Sequence, residues 1–241
     1  MTNARELANL VGGTLTNLTS GTDNVALGDE ALEAVTSGAN NVGIGKDALT
    51  ANTTASNNTA VGFEAGATTT TGGLNTFFGR KAGRGVTTGT ENTFVGNSSG
   101  RDGTITGSHN VGVGTVALNE LTSGTNNTAV GSSALASDTT GANNTAFGFE
   151  ALATDTQGSH STAIGRRALK SQNFTSATDT HNTGIGNNSG QSITTANSCT
   201  AVGSNSLSSN QTGNSNTAVG ESALTSTTSA NNTAIGAGAG N

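Results

Sequence analysis

Histidine, serine and aspartate are the residues of this chain that could support catalysis or bind a metal ion. All three histidines, His109, His160 and His181, occupy one place in a recurring phrase, five residues before a glycine. His160 and His181 fall in successive copies of the phrase, so their rings are expected to stack. A metal site needs further ligands held in a fixed orientation, and the sequence indicates no H-x-H pair, cysteine or column of carboxylates beside them. The sequence therefore predicts no metal site and no cofactor.

Motifs for a catalytic nucleophile or a bound phosphate are incomplete. No G-x-S-x-G motif occurs where a strand would lead into a helix. Gly45 and Lys46 match part of the phosphate-loop pattern G-x-x-x-x-G-K-[ST], but Asp47 stands where serine or threonine is required. We therefore predict no catalytic residue, and the chain is not expected to be an enzyme.

Charge and composition argue against two further classes of protein. The net charge is −6, with 9 Lys and Arg against 15 Asp and Glu. Adjacent basic residues occur at Arg80-Lys81 and Arg166-Arg167, whereas binding to nucleic acid needs larger clusters of cations. No apolar run approaches the ~20 residues that cross a bilayer. Residues 1–11 lack the basic-then-apolar order of a secretion signal. We expect neither nucleic-acid binding nor membrane insertion.

The strongest feature of the chain is a phrase, roughly N-N-T-A-V-G-x-x-A-L-x-x-T-T-G, that recurs thirteen times. The glycine after the T-A-V segment is called here the anchor glycine, and positions are counted from it. The anchor glycines are Gly28, Gly45, Gly62, Gly79, Gly96, Gly114, Gly131, Gly148, Gly165, Gly186, Gly203, Gly220 and Gly236. Most lie 17 residues apart, with single gaps of 18, 21 and 16. A short fixed period predicts a stack of coils, none of which can bury its apolar side chains alone.

Each repeat contains a short predicted strand just before the anchor glycine. Position −1 is always bulky and apolar, position −3 is Val or Thr, and position −2 is Ala or Gly except at Phe77 and Phe94. Because side chains alternate along a strand, positions −3 and −1 share one face, which we expect to point inward. A second short strand is predicted at +3 and +4, before a polar return loop. The sequence thus predicts an all-β parallel solenoid of about thirteen coils, near 60 Å long at about 4.8 Å per step.

Asparagine occupies position −4 in eleven repeats. It tolerates a left-handed corner, and stacked side-chain amides can hydrogen-bond from coil to coil. Leucine at +4 is predicted to form a contact row between chains, because about four buried side chains per coil leave a single chain poorly covered. These leucines are Leu32, Leu49, Leu118, Leu135, Leu152, Leu169, Leu207 and Leu224.

Glycine replaces this leucine in three consecutive coils that are rich in phenylalanine. The glycines are Gly66, Gly83 and Gly100, and the phenylalanines are Phe63, Phe77, Phe78 and Phe94. This coincidence predicts that small residues compensate for large ones at one level of the stack. Random drift between repeats is the alternative interpretation.

The repeat closely resembles N-S-V-A-I-G-x-x-S, the head repeat of YadA-type trimeric autotransporter adhesins. Residues 58–62 and 232–236 carry the match, and the resemblance covers roughly residues 21–241. It implies a left-handed parallel β-roll, a homotrimer of chains side by side, and adhesion without catalysis. Coils of that family are shorter than these 17-residue coils, so a three-sided β-helix stays open as an alternative.

The repeats and residues 1–10 are also similar to those of bacteriophage tail-fibre proteins. That similarity implies a virion protein that is assembled in the host cytoplasm and recognises a host cell-surface glycan or protein. Residues 1–20 are predicted to form a short helix that trimerises or docks on other virion or tail proteins through Leu7, Leu10 and Val11, unless they are a frayed terminus. Residues 21–241 are predicted to form the fibre, and its last coil, around Gly236, to contact a partner. A bacterial surface adhesin fragment and an ice- or glycan-binding module are the alternative functions.

The 21-residue gap is the predicted place of receptor contact. It inserts four residues between Lys170 and Thr180, on a predicted loop. Insertions in repeat proteins bulge outward and often carry binding function. We therefore predict receptor contacts at Asn173, Phe174 and Thr175, with a neutral bulge as the alternative. Ice binding would need an outward row of threonines, and the expected inward direction of position −3 argues against it.

Overall fold

The computed structural model describes residues 21–241, which form an all-β parallel solenoid. Thirteen strands lie in one sheet in their chain order, and two shorter strands form a separate pair. The strands are β1 (Val25–Leu27), β2 (Val42–Ile44), β3 (Thr59–Val61), β4 (Thr76–Phe78), β5 (Thr93–Val95), β6 (Val111–Val113), β7 (Thr128–Val130), β8 (Thr145–Phe147), β9 (Gly158–Ser159), β10 (Thr162–Ile164), β11 (Thr178–Asp179), β12 (Thr183–Ile185), β13 (Thr200–Val202), β14 (Thr217–Val219) and β15 (Thr233–Ile235). Residues 21–241 contain no helix. The helix predicted within residues 1–20, with Leu7, Leu10 and Val11, lies outside the described residues.

The strands of the large sheet pair in register, repeat for repeat. Thr128 of β7 lies opposite Thr145 of β8, and the same pairing of positions runs from β1 to β15. The 21-residue gap leaves this register intact, since Thr162 of β10 lies opposite Thr183 of β12. The extra residues are accommodated outside the large sheet, where β11 pairs with β9. The predicted stack of equal coils is therefore confirmed.

The strands face the opposite way from the sequence prediction. Position −2 points into the solenoid, where Ala60, Ala129 and Phe77 are fully buried. Positions −3 and −1 point outward, so that Val25 is 51% exposed and Phe78 57% exposed. Alternation along a strand shows which side chains share a face, but it does not show which face is the inner one. The inward prediction for positions −3 and −1 is wrong.

The leucines at +4 occupy the interior of each coil, which explains this reversal. Leu49, Leu118 and their equivalents are buried in the core of the single chain. A Cβ added to Gly43 at position −2 would lie only 3.1 Å from Cγ of Leu32. The leucines therefore leave room only for small residues at −2, and the bulky residues of the strand must lie outside. The predicted contact row between chains at +4 is wrong.

The glycines at +4 do make room for buried phenylalanines. A Cβ on Gly66 or Gly83 would lie 2.5 or 2.0 Å from ring atoms of Phe77. A Cβ on Gly100 would lie 2.9 Å from the ring of Phe94, and the centroids of the two rings are 6.2 Å apart. The predicted volume compensation is confirmed for these two phenylalanines. The other phenylalanines of this region, at positions 63 and 78, are exposed and take no part in it.

Positions +3 and +4 form a turn, so the predicted second strand is absent. Residues at +2 and +4 have left-handed backbone, as at Glu150 with φ +55° and Leu152 with φ +50°. The N–H of Ala151 donates to the carbonyl oxygen of Gly148 at 3.3 Å and closes the turn. Neighbouring coils still bond here, because the N–H of Leu152 donates to the carbonyl oxygen of Ala168 at 3.1 Å. Glutamate and leucine rarely adopt left-handed backbone, so the residue types at +2 and +4 do not indicate this turn.

The anchor glycines stack from coil to coil. All thirteen have φ between 124° and 141°, a region that glycine enters without steric cost. A Cβ added to Gly131 would lie 2.5 Å from the carbonyl oxygen of Gly148 in the next coil. The close approach of two backbones and the local conformation therefore both require glycine, as the repeat predicts.

The asparagines at −4 form a buried ladder through the stack. The N–H of Asn144 donates to Oδ1 of Asn127 at 3.0 Å, and Nδ2 of Asn127 donates to the carbonyl oxygen of Gly141 at 2.7 Å. Each side chain thus links the strand entry to the next coil and to a return loop. The predicted ladder is confirmed, but the left-handed corner lies one residue earlier, where Asn126 has φ +57°.

Candidate binding surfaces of the solenoid

The outer face of the thirteen-stranded sheet is an extended surface of threonine and apolar side chains. We name the outward residues at −3 and −1, the first and third of each strand, the sheet face. Position −3 is threonine in ten strands and valine in three, position −1 is always apolar, and none of these side chains is buried. The most exposed members at −1, with 38–74% of their surface accessible, are Phe78, Phe147, Ile164, Ile185 and Ile235. A continuous row of partly or fully exposed apolar side chains is typical of an interaction surface.

Charged side chains concentrate along one edge of the solenoid, at +1 and +2. Consecutive coils stack there, since the N–H of Lys81 donates to the carbonyl oxygen of Phe63 and that of Arg167 to Phe149, both at 2.8 Å. Six of the nine basic residues of the chain fall in two clusters on this edge. The first cluster is Phe63, Glu64, Arg80, Lys81 and Arg84, and the second is Phe149, Glu150, Arg166, Arg167 and Lys170.

The inserted loop presents a different surface from the one predicted. Phe174 is buried, with 7% of its surface exposed, and its N–H donates to Oδ1 of Asp155 at 3.0 Å. The expectation of an exposed aromatic side chain is therefore wrong. Asn173 and Thr175 on either side are exposed, and their role as receptor contacts stays a prediction.

All three histidines lie on the surface, and two of them, His109 and His160, pair with carboxylates. His160 and His181 stack as predicted, with ring centroids 5.3 Å apart. Nδ1 of His160 lies 3.0 Å from Oδ1 of Asp179, and Nδ1 of His109 lies 3.3 Å from Oε2 of Glu91. These neighbouring carboxylates were not expected from the sequence. Within residues 21–241, no group of three or more His, Cys, Asp or Glu side chains is placed to hold a metal ion.

Comparison with known proteins does not indicate a function for these surfaces. No protein-family model, curated protein or solved structure matches this chain. The described residues 21–241 also include no helix of the length and apolar character needed to cross a bilayer. The function must therefore be inferred from the sheet face and from the charged clusters on the edge.

An interior column at position +7 contains two adjacent buried carboxylates, Asp138 and Asp155, each 1% exposed. Oδ1 of Asp138 accepts the N–H of Gly141 at 2.8 Å, whereas its Oδ2 accepts no hydrogen bond from residues 21–241. Burial raises the pKa of Asp138 well above its ordinary value of 3.8. The carboxylate of Asp155 raises this pKa further, and the hydrogen bond from Gly141 opposes the shift. At neutral pH this carboxyl group therefore destabilises the fold.

We expect Asp138→Asn to raise the free energy of unfolding at pH 7 by about 1–3 kcal/mol. Asn210 occupies the same column and donates Nδ2 to the carbonyl oxygen of Gly213 at 2.8 Å, so the site accepts an amide. Because the folded pKa is raised, the folded wild type holds a proton that the unfolded chain releases. Its stability therefore falls as the pH rises from 3.8 through the folded pKa.

The gain from this substitution should accordingly vanish near pH 3, about one unit below the ordinary pKa of aspartate. Urea unfolding followed by circular dichroism at several pH values measures it. The wild type at each pH is the control for general acid effects. An equal gain at acid and neutral pH would contradict the assignment of the destabilisation to the ionised carboxyl of Asp138.

Proposed function

We propose that this protein is a fibre protein of a bacteriophage particle, a homotrimer that presents a surface for recognition of the host cell. In this proposal three left-handed β-rolls pack with their sheet faces together. In the same proposal residues 1–20, which lie outside the described residues, attach the fibre to tail proteins through Leu7, Leu10 and Val11. The protein acts as a structural and adhesive element of the virion, without catalysis or a cofactor. Its partners are sister chains, other virion proteins and a glycan or protein of the host surface.

The exposed sheet face is the observation that carries the proposal. Its apolar column at −1 continues through thirteen strands, about 58 Å at about 4.8 Å per strand. Another solenoid with the same spacing between strands can contact this face along its whole length. A second copy of the chain has that spacing. Closed symmetric assembly is the usual way in which identical chains cover such a surface. The number three follows from the resemblance of the repeat to trimeric adhesin heads.

The composition of the sheet face also favours association. It holds threonine, valine, leucine, isoleucine and phenylalanine, and no charged side chain. Assembly therefore requires no desolvation of ions, which is the main cost of burying polar surface. Covering about half of each apolar side chain at −1 would contribute roughly 1 kcal/mol per strand. Summed over the solenoid, this favours a stable assembly.

Charges placed on the sheet face should prevent assembly. The double substitution Val130→Glu with Ile164→Glu is expected to give monomers, because both carboxylates would be desolvated between chains. Both side chains point outward, so the interior of each coil is left unchanged. Sedimentation velocity measures the result. The matched control is Thr88→Glu with Ser123→Glu, at exposed loop positions away from the sheet face.

An unchanged sedimentation coefficient in the sheet-face variant, or equal dissociation of the control, would contradict this use of the face. Binding of labelled protein to a panel of bacterial cells tests the recognition role. We expect the assembled protein to bind at least one strain, and the monomeric variant to bind it roughly a hundredfold more weakly through lost avidity. Failure of the assembled protein to bind any strain of the panel would count against host recognition.

A bacterial surface adhesin built from the same trimer is the alternative within this class. The sheet face would serve it equally well, so geometry does not separate the two. Neighbouring genes do: virion genes beside the coding sequence support the fibre, and genes for a secretion apparatus support the adhesin.

Ice binding is a second candidate, and the outward direction of the threonines favours it. The sequence prediction placed the threonines at −3 inside, and the structure places them outside in a regular column. Phe78 and Phe147, each more than half exposed, interrupt the regularity of the neighbouring column and favour contact between chains. Thermal hysteresis separates the two functions: we expect none from the purified protein, and a concentration-dependent hysteresis would support ice binding.

A further inference from the structure

The two charged clusters on the edge are copies of one arrangement. Each begins with Phe-Glu directly after an anchor glycine and continues one coil later with two basic residues at the same positions. A third basic residue follows at +5, Arg84 in the first cluster and Lys170 in the second. Within residues 21–241 no other pair of neighbouring coils has this combination. The clusters lie five coils apart, about 24 Å at 4.8 Å per coil.

In the first cluster, the glutamate pairs with two cations and leaves one arginine without an ion pair. Oε2 of Glu64 lies 2.7 Å from Nε of Arg84 and 3.6 Å from Nζ of Lys81. Arg80 makes no ion pair with any described residue. Its guanidinium carbon lies 5.7 Å from the ring centroid of Phe63, and Nζ of Lys81 lies 5.9 Å from the same centroid. Arg80 and Phe63 are both exposed. The free cation and the aromatic ring are therefore presented together.

The second cluster repeats the paired glutamate and the arginine beside the ring. Oε2 of Glu150 lies 2.8 Å from both Nζ of Lys170 and Nε of Arg167, which together hold the pKa of this carboxyl below its ordinary value. Arg166 makes no ion pair with a described residue, and its guanidinium carbon lies 5.9 Å from the ring centroid of Phe149. Phe149 is 42% exposed, close to the 37% of its counterpart Phe63. Two equivalent surfaces thus stand on one edge of the fibre.

We propose that the two clusters are equivalent subsites for an anionic polysaccharide, each offering a free arginine beside an exposed phenylalanine ring. A guanidinium group binds a carboxylate, sulfate or phosphate group through paired N–H donors. An exposed aromatic ring offers a flat apolar surface on which the C–H face of a sugar can pack. This proposal rests on the proposed host-recognition function and specifies the class of ligand that is recognised.

The distribution of charge favours a polysaccharide over nucleic acid. Duplex DNA carries about one charge per 1.7 Å, and proteins that bind it neutralise many phosphates. Here three basic residues and one glutamate give each cluster a charge of +2, on a chain with a net charge of −6. The coils between the clusters place uncharged residues at +1 and +2, namely Asn97, Ser98, Thr115, Val116, Ser132 and Ser133. That pattern fits an acidic polysaccharide that meets a free arginine at each cluster, whereas DNA needs its phosphates neutralised along the whole contact.

The fold itself does not require arginine at these positions. Asn97, Ser132 and Ser204 occupy the same +1 position in other coils. Lys46 also occupies it, but its Nζ is paired with Oδ2 of Asp29 at 2.8 Å and no phenylalanine lies at the equivalent place. Serine can therefore replace either arginine with little structural effect, and Lys46 provides a matched control.

The test compares the wild type with Arg80→Ser, with Arg166→Ser and with the double variant, using the full chain. Polygalacturonate and dextran sulfate are the anionic probes, and neutral dextran and duplex DNA are the comparisons. We expect the wild type to bind at least one anionic polysaccharide and not neutral dextran. Each single variant should bind roughly tenfold more weakly, and the double variant should lose binding, because two subsites on one fibre act with avidity. Lys46→Ser should bind like the wild type.

Three results would overturn the subsites: binding of neither anionic probe by the wild type, equal binding by the double variant, or DNA bound as tightly as the polysaccharides. An assay of the double variant on cells that bind the wild type distinguishes failure of the subsites from failure of the fibre proposal. Retention of the double variant on those cells would overturn the subsites and leave host recognition standing. Loss of cell binding by the double variant, at unchanged molar mass, would support both. If no cells bind the wild type, host recognition fails, while the polysaccharide assay still decides the subsites.

Discussion

Replacing Gly131 by alanine is expected to disrupt the middle of the solenoid and to lower its melting temperature by about 10 °C or more. The residue has φ +134°, and an added Cβ would lie 2.5 Å from the carbonyl oxygen and 2.6 Å from the carbonyl carbon of Gly148. Both contacts are with backbone, so relief requires that two coils move apart and break their hydrogen bonds. A loss above about 4 kcal/mol would place the substitution among the exceptionally destabilising ones.

The last anchor glycine separates the two causes of this effect. Gly236 has a similar φ of +128°, but its added Cβ would meet only Cβ of Ala239, at 3.8 Å. Gly236→Ala therefore measures the backbone strain alone, about 1–3 kcal/mol. Thermal unfolding followed by circular dichroism compares the variants. Equal destabilisation by the two substitutions would show that the close approach of stacked coils has no energetic role.

Replacing Asn127 by alanine is expected to cost about 2–6 kcal/mol, because two buried backbone groups lose their partners at about 1–3 kcal/mol each. Oδ1 of Asn127 accepts the N–H of Asn144, and its Nδ2 donates to the carbonyl oxygen of Gly141. All three residues are buried, so water cannot replace the lost bonds without opening the coil. Hydrogen exchange of the Asn144 amide, together with urea unfolding, locates and measures the loss.

The neighbouring asparagine provides the matched control. Asn126 is exposed and has φ +57°, which glycine also adopts, so Asn126→Gly keeps the corner and removes only a surface amide. We expect it to change stability by less than about 1 kcal/mol. A loss as large as that of Asn127→Ala would mean that the asparagine pair acts through local backbone preference and that the buried ladder contributes little.

The period, the register and the anchor glycines could be predicted from the sequence, because each depends on local covalent geometry repeated at a fixed interval. Gly131 needs its backbone conformation whatever surrounds the coil. Asn127 could also be assigned to a ladder, since asparagines at the same place in eleven of the thirteen coils can bond to one another when the coils stack.

The direction of the strands could not be predicted from the same pattern. Val130 and Ala129 alternate in the same way whether the valine or the alanine points inward. The choice depends on the leucine at +4. Leu135 has left-handed backbone at φ +47° and is fully buried. The equivalent Leu32 leaves room only for a small residue at −2, as Gly43 shows. Leucine as a residue type does not indicate left-handed backbone, so this turn could not be predicted. The assignment of an inter-chain role to the leucines failed for the same reason.

Both candidate sites depend on which residues of adjacent coils lie next to each other. The sequence indicates these neighbours for the edge clusters and does not indicate them for the inserted loop. From the sequence, Phe174 is expected to be an exposed loop residue. In the structure its side chain is buried, and Asp155, one coil earlier, accepts its N–H. By contrast, the edge clusters could have been found. Phe63 lies one period before Arg80, and the same pair of types recurs at residues 149 and 166. Comparing the variable positions of adjacent repeats, and not only their shared phrase, would have brought these residues together.

Covering of the sheet face by sister chains is tested most directly by the molar mass of the full chain in solution, measured by light scattering. The trimer proposal predicts about 70 kDa, three times the 23.4 kDa of one chain. The same measurement on the Val130→Glu and Ile164→Glu double variant should give the mass of one chain. A wild-type protein with the mass of a single chain at micromolar concentration would contradict the proposal.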